Sequence, residues 1–140
     1  MTIILGVDPG LQRTGWGIII SEQNKLSFVG CGIITSKAAD PMPERLKQLH
    51  DGLVETIRAY GAEEAAVEET FMNNNAASAL KLGQARGAIL LALSLAGVTV
   101  SEYSATEVKK SVVGRGHADK QQVAMMVKTL LPKSTAAKAD

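Results

Sequence analysis

The sequence predicts an α/β domain, a mixed β-sheet covered by helices. Three observations carry this. The chain opens on a continuous apolar, β-branched run, Ile3-Ile4-Leu5-Gly6-Val7, as a buried central strand does. Two more strand-like runs follow before residue 36, close enough to form an antiparallel meander. From Pro43 onward, segments with helical periodicity alternate with short apolar ones, which is how helices come to cover a sheet.

Taken in order, the first strand ends at Asp8-Pro9-Gly10, a tight-turn sequence. A second strand runs from about Thr14 through Ile20, Ser21 to Lys25 form a polar turn, and a third strand spans Leu26 to Thr35. Pro43 to Tyr60 places Leu46, Leu49, Leu53, Val54 and Ile57 on one helical face, and Gly61 stops that helix. Ala65-Ala66-Val67 is a short fourth strand between acidic pairs. A long helix covers 75–95, begun by one of three consecutive asparagines as N-cap, and Val98 to Tyr103 is a fifth strand. Helices over 106–113 and 118–131 complete the order βββαβαβαα, with no internal repeat.

Composition narrows the function classes. The 140 residues suit one domain, and at 46% hydrophobic with a net charge of +1 the chain folds rather than staying disordered. With only 4% aromatic residues, the core is built from Ala, Val, Ile and Leu. The single cysteine, Cys31, excludes a disulfide scaffold and a Cys-rich zinc site, and is read as a small buried strand residue. No apolar stretch is long enough to cross a bilayer, and Met1 to Leu5 carries no leader pattern. A soluble, cytoplasmic, single-domain protein without membrane association is expected. Residues 1–105 hold 8 basic and 11 acidic residues, whereas 106–140 hold 7 and 3. The basic last quarter is compatible with a nucleic-acid face but does not demand one.

A few residues stand out as chemistry. Asp8, at the carboxyl end of a buried strand, occupies the usual place of a ligand site in open α/β sheets; an Asx turn around Pro9-Gly10 explains it equally well. Glu68 closes the fourth strand. Alone it reads as part of a solvated acidic cluster. With Asp8 on a neighbouring strand, the two carboxylates repel unless cations bridge them, and oxygen-only ligands select Mg²⁺ or Mn²⁺. Such a pair of metals is the usual apparatus of phosphodiester cleavage. Asp140 alone is a frayed terminal residue.

Lys109, Lys110, Arg115, His117 and Lys120 surround Gly114 and Gly116, a loop suited to phosphate contacts. His117 has no second histidine at ligand spacing, and His50 lies on the polar side of its helix. The glycine-rich stretch from Gly10 to Gly17 lacks the lysine and spacing of a P-loop. Trp16 within it is a sheet-packing residue. Phe71, by itself, tucks under its loop as a hydrophobic staple. Ala79, Gly83 and Gly87 recur every four residues, which suits close helix packing within the chain or a two-fold seam between copies.

These runs together closely resemble the RuvC family, bacterial crossover junction endodeoxyribonucleases on a ribonuclease-H-like fold. The resemblance covers Ile3 to Asp140. It is carried by Ile4-Leu5-Gly6-Val7-Asp8-Pro9-Gly10 with Thr14-Gly15-Trp16-Gly17, by Val67-Glu68-Glu69-Thr70-Phe71-Met72, and above all by Ser78-Ala79-Leu80-Lys81-Leu82-Gly83-Gln84-Ala85-Arg86-Gly87. Tyr103 to Gly114 and Lys120 to Leu131 extend it.

The resemblance implies a ribonuclease-H-like five-stranded mixed sheet flanked by helices. It also implies catalytic, metal-binding carboxylates at Asp8, Glu68 and Asp140, with Lys120 as a further catalytic residue. The family's second Asp would fall three residues past Asp140, so the single nuclease domain of 1–140 is expected without its last helix. Phe71 matches the loop phenylalanine that inserts at the junction centre, which displaces the staple reading, and Lys109 matches a functional lysine. Two Mg²⁺ per site, with Mn²⁺ as substitute, a homodimer, four-way junction DNA, and the RuvA and RuvB branch-migration proteins are the implied cofactors and partners. Two other readings compete: an actin-like phosphotransferase or ATPase, which needs a second phosphate loop and an adenosine pocket, and a non-catalytic junction-binding module.

Overall fold

In the computed structural model, residues 1–23, 25–69 and 75–104 are described, Tyr103 and Ser104 without their side chains. They form β1 (Thr2–Asp8), β2 (Arg13–Glu22), β3 (Lys25–Thr35), α1 (Met42–Tyr60), β4 (Glu64–Glu69), α2 (Ala76–Leu95) and β5 (Thr99–Ser104). The expected helices over 106–113 and 118–131 lie outside the described residues. The sheet order is β3-β2-β1-β4-β5. The meander β1–β2–β3 is antiparallel, while β4 pairs parallel to β1 and β5 parallel to β4. The sheet is therefore mixed, as the sequence predicted.

Alternation along the strands sorts side chains onto two faces. Leu5, Val7, Ile18, Ala65 and Val67 point to one face and pack with Leu49, Leu53 and Ile57 of α1 and with Ala85, Ile89, Ala92 and Leu93 of α2. This is the main core. The opposite face holds a smaller cluster of Ile4 and Ile19 with Leu26 and Cys31. Cys31 is half-buried rather than buried, because β3 is the outermost strand of the sheet. At Ile18/Ile19 the β2–β3 register slips by one residue, leaving Val29 unpaired as a bulge.

Both helices obey their local signals. Pro43 lies in the first turn of α1, where its missing N–H costs nothing. Gly61 ends α1 in the left-handed region at φ 67°, donating to the Ile57 carbonyl at 2.8 Å. Asn75 caps α2, its side-chain oxygen accepting from Ala77 N–H at 2.9 Å and Ser78 N–H at 3.2 Å. The outer face of α1 is solvated: Lys47 pairs with Asp51 at 2.8 Å, and that hydrogen bond holds the Asp51 carboxyl below its ordinary pKa. His50 Nδ1 lies 3.1 Å from an oxygen of the same carboxylate, on the polar side as expected.

Glycines set how closely α1 and the aromatics approach the sheet. Trp16 lies across Gly32, where a Cβ would sit 2.7 Å from its ring, and tilts against Tyr60 with ring centroids 5.5 Å apart. Gly52 faces Ile34, whose Cγ2 would lie 2.6 Å from an added Cβ. Gly52→Ala therefore sets a helix-propensity gain of roughly 1 kcal/mol against an overpacking cost of about 1–3 kcal/mol. The clash should win, lowering stability by about 1 kcal/mol in urea unfolding, and Ile34→Ala in the same chain should relieve part of the added strain.

Candidate active site

The carboxylates are placed by register. Val7 pairs with Val67 across the central parallel ladder, and both point into the main core, 3% and 0% exposed. The next residue on each strand is Asp8 and Glu68. By alternation both turn to the opposite face, on strands about 4.8 Å apart. Asp8 ends β1 and is exposed; Glu68 is half-buried. The fourth strand reaches Glu69 rather than ending at Val67, so Glu68 lies within it, pairing with Tyr103 of β5. Paired with β5 on one side, its backbone is held more firmly than a loop residue's.

The ground around the carboxylates is low. On the same face, Gly6 and Ala66 precede Asp8 and Glu68, while Gly15 and Gly17 lie across from Asp8 and Gly6 on β2. Residues this small leave the strand ends open to an incoming group. Their donor set is carboxylate oxygen only, which suits a hard divalent cation. Among the described residues no cluster of three or more potential metal ligands forms. The remaining expected site residues, Phe71, Lys109, Lys110, Arg115, His117, Lys120 and Asp140, lie outside the described residues.

Other expectations meet the geometry differently. The glycine-rich turn holds itself: the Thr14 hydroxyl, fully buried, donates to the Gly10 carbonyl at 2.8 Å and accepts from Gly10 N–H at 3.2 Å. That N–H is committed within the turn. On α2, a Cβ added at Gly83 or Gly87 would meet nothing within 4 Å. Packing of this small-residue face within the chain is thus not found among the described residues. The face continues into exposed Leu80, Leu91 and Leu95, three- and four-residue steps along the side opposite Ala85, Ile89 and Ala92.

The sequence reading missed one contact. Arg86 of α2 forms an ion pair with Glu102 of β5, tying the helix to the strand that flanks Glu68. Glu102 pairs with Val67, so it faces α2. As the one charged residue of β5, it was the available signal.

A mixed sheet of order β3-β2-β1-β4-β5, with an antiparallel meander followed by two parallel strands, is a ribonuclease-H-like arrangement. Comparison with known proteins agrees. The family model for crossover junction endodeoxyribonuclease RuvC matches residues 4–140. A protein of that name from Paramagnetospirillum magneticum is 58% identical over 137 residues, 98% of this chain and 82% of the relative. One from Rhodopseudomonas palustris is 53% identical, over 98% of this chain and 79% of the relative. Among solved structures, Thermus thermophilus RuvC superposes with a TM-score of 0.73 at 33% identity, covering 94% of this chain and 81% of the other. The same protein in complex with a Holliday junction substrate gives 0.72 at 30% identity, over 79% and 70%. The yeast mitochondrial Holliday junction resolvase Ydc2, at 11% identity and a TM-score of 0.59, shares the fold.

This chain belongs to the RuvC family of crossover junction endodeoxyribonucleases.

Proposed function

We propose that the chain resolves four-way DNA junctions by paired, Mg²⁺-dependent hydrolysis of phosphodiester bonds in recombination and repair. The observation that carries this is the placement of Asp8 and Glu68 side by side at the carboxyl ends of two parallel strands, on one open face. Two Mg²⁺ ions, or Mn²⁺ in their place, would be held by Asp8 and Glu68 with Asp140 as third ligand. Bound there, the metals supply a lowered water pKa and charge for the developing oxyanion. Asp8 and Glu68 would supply the oxygen ligands and the negative charge that attract the cations. Lys120 orients the attacking water or stabilises charge on the phosphate.

Junction binding falls to the basic segment. Lys109, Lys110, Arg115, His117 and Lys120 contact phosphates, and Phe71 stacks on an unpaired base at the junction centre. Each Lys→Ala change in this group should lower the slope of log K against log salt by about 0.9. Phe71→Ala should leave that slope unchanged and reduce cleavage, since stacking releases no counterions. Anisotropy titrations at several salt concentrations separate the two behaviours.

The exposed Leu80–Gly83–Gly87–Leu91 stripe of α2 is the seam of a homodimer, which sets two sites against one junction. RuvA and RuvB are the branch-migration partners that deliver the junction. Mg²⁺-dependent cleavage of a synthetic four-way junction tests the whole reading; hydrolysis of ATP with no junction cleavage would instead favour an actin-like phosphotransferase.

A further inference from the structure

Beyond the carboxylates, the same end of the sheet carries a second, cationic feature on β2 and the β3–α1 connection. Asp8 pairs with Gly15. Arg13 stands two residues further along β2, so alternation places it on the face that Asp8 occupies, a diagonal neighbour at about 7–8 Å between Cα atoms. Arg13 is exposed and makes no ion pair among the described residues. It pairs with Thr35 of β3, and exposed Lys37 follows two residues on.

The two loops that carry these cations are fastened to each other. Ser36 N–H donates to the Gln12 carbonyl at 3.1 Å, and its hydroxyl donates to the Leu11 carbonyl at 2.6 Å. Arg45 Nε donates to the Ser36 hydroxyl at 2.9 Å, and Lys37 N–H donates to Gln48 Oε1 at 2.8 Å. Ser36 is itself 7% exposed. The nearby Asp40 carboxylate already accepts from Gln48 Nε2 at 2.7 Å. A rim fixed in this way holds its charges without much backbone freedom left to lose on binding.

We propose that Arg13 and Lys37 form a phosphate-binding rim that takes the DNA backbone on the β2–β3 side of the Asp8–Glu68 pair. The inference rests on the nuclease reading above and adds residues that the reading does not use. A strand lying over the carboxylates leaves them past β2, and there its next phosphates meet two exposed cations instead of the acidic strand ends. Arginine suits the nearer position, since its planar fork pairs with two phosphate oxygens at once.

The test is junction affinity by fluorescence anisotropy between 50 and 200 mM salt, for the unaltered chain and for Arg13→Ala with Lys37→Ala. Two lost contacts lower the salt slope by about 1.8, so the affinity of the unaltered chain should fall about twelvefold more across this range. Arg13→Lys should keep the slope, because the charge remains. Thermal melting should be unchanged in all variants, since both side chains are exposed; a lowered melting temperature would instead assign Arg13 a structural role and overturn the proposal. Equal slopes for the double variant and the unaltered chain would overturn this rim alone. Failure of the unaltered chain to bind the junction would overturn the nuclease reading and the rim with it.

Discussion

Asp8→Asn is expected to reduce junction cleavage by at least about a thousandfold while leaving junction affinity equal or raised. The substitution is nearly isosteric and sits at an exposed strand end, so the fold should not notice it. Under the proposed function it removes a negative charge and an anionic metal ligand beside Glu68. A site built to act as a unit loses most of its rate when one member is removed. Binding moves the other way because Asp8 stands where a phosphate must come, and a carboxylate there repels it. Glu68→Gln should behave alike. Cleavage on denaturing gels beside anisotropy titrations separates the two effects. Cutting by Asp8→Asn at the unaltered rate would sink the assignment of this site.

The second large effect concerns assembly. Gly83→Leu should turn a dimer into a monomer, read by light scattering, with the chain still folded. An added Cβ at Gly83 meets nothing within 4 Å among the described residues, so none of them opposes the larger side chain. It also raises helix propensity by roughly 1 kcal/mol. A folded monomer would then mark this face as the contact with another copy. The flanking Leu80 and Leu91, 65% and 55% exposed, are the apolar surface such a contact would cover. Helices that meet over glycine approach closely, and a leucine at the crossing holds them apart. Paired nicking of opposite strands should then give way to single nicks. A stable dimer of this variant would move the seam elsewhere.

Most of the fold was legible because each element carries its own local signal. Ile3 to Val7 is continuous where the strand is central, α1 is amphipathic where one side is wet, and Gly61 and Asn75 stand at helix ends for steric and hydrogen-bonding reasons. What escaped is what depends on neighbours. Glu68 looked like the end of a strand because glutamates are poor strand formers, yet pairing with β5 carries β4 on to Glu69. The bulge at Val29 is marked only by Gly30 beside it, and a glycine inside a strand has other uses, here the close approach of Tyr60. Arg13 fell just before the strand expected from about Thr14, whereas β2 begins at Arg13, and the pairing of Asp8 with Gly15 puts it on the face of Asp8. The small-residue stripe of α2 was visible in the sequence, but whether it met a partner inside the chain depended on the packing of everything else.

The parallel pairing of β1 with β4 has a consequence for how the protein reaches its working state. The meander of β1, β2 and β3 closes through short turns, whereas Ile3 and Glu63, at the foot of the central ladder, are 60 residues apart. Contacts of that separation form late, because the entropy of closing the loop is spent before they return anything. Asp8 belongs to the early hairpin and Glu68 to the late strand. Under the proposed function, Asp8 and Glu68 meet only when that late pairing is made, so a chain whose central ladder is still open should not cut DNA.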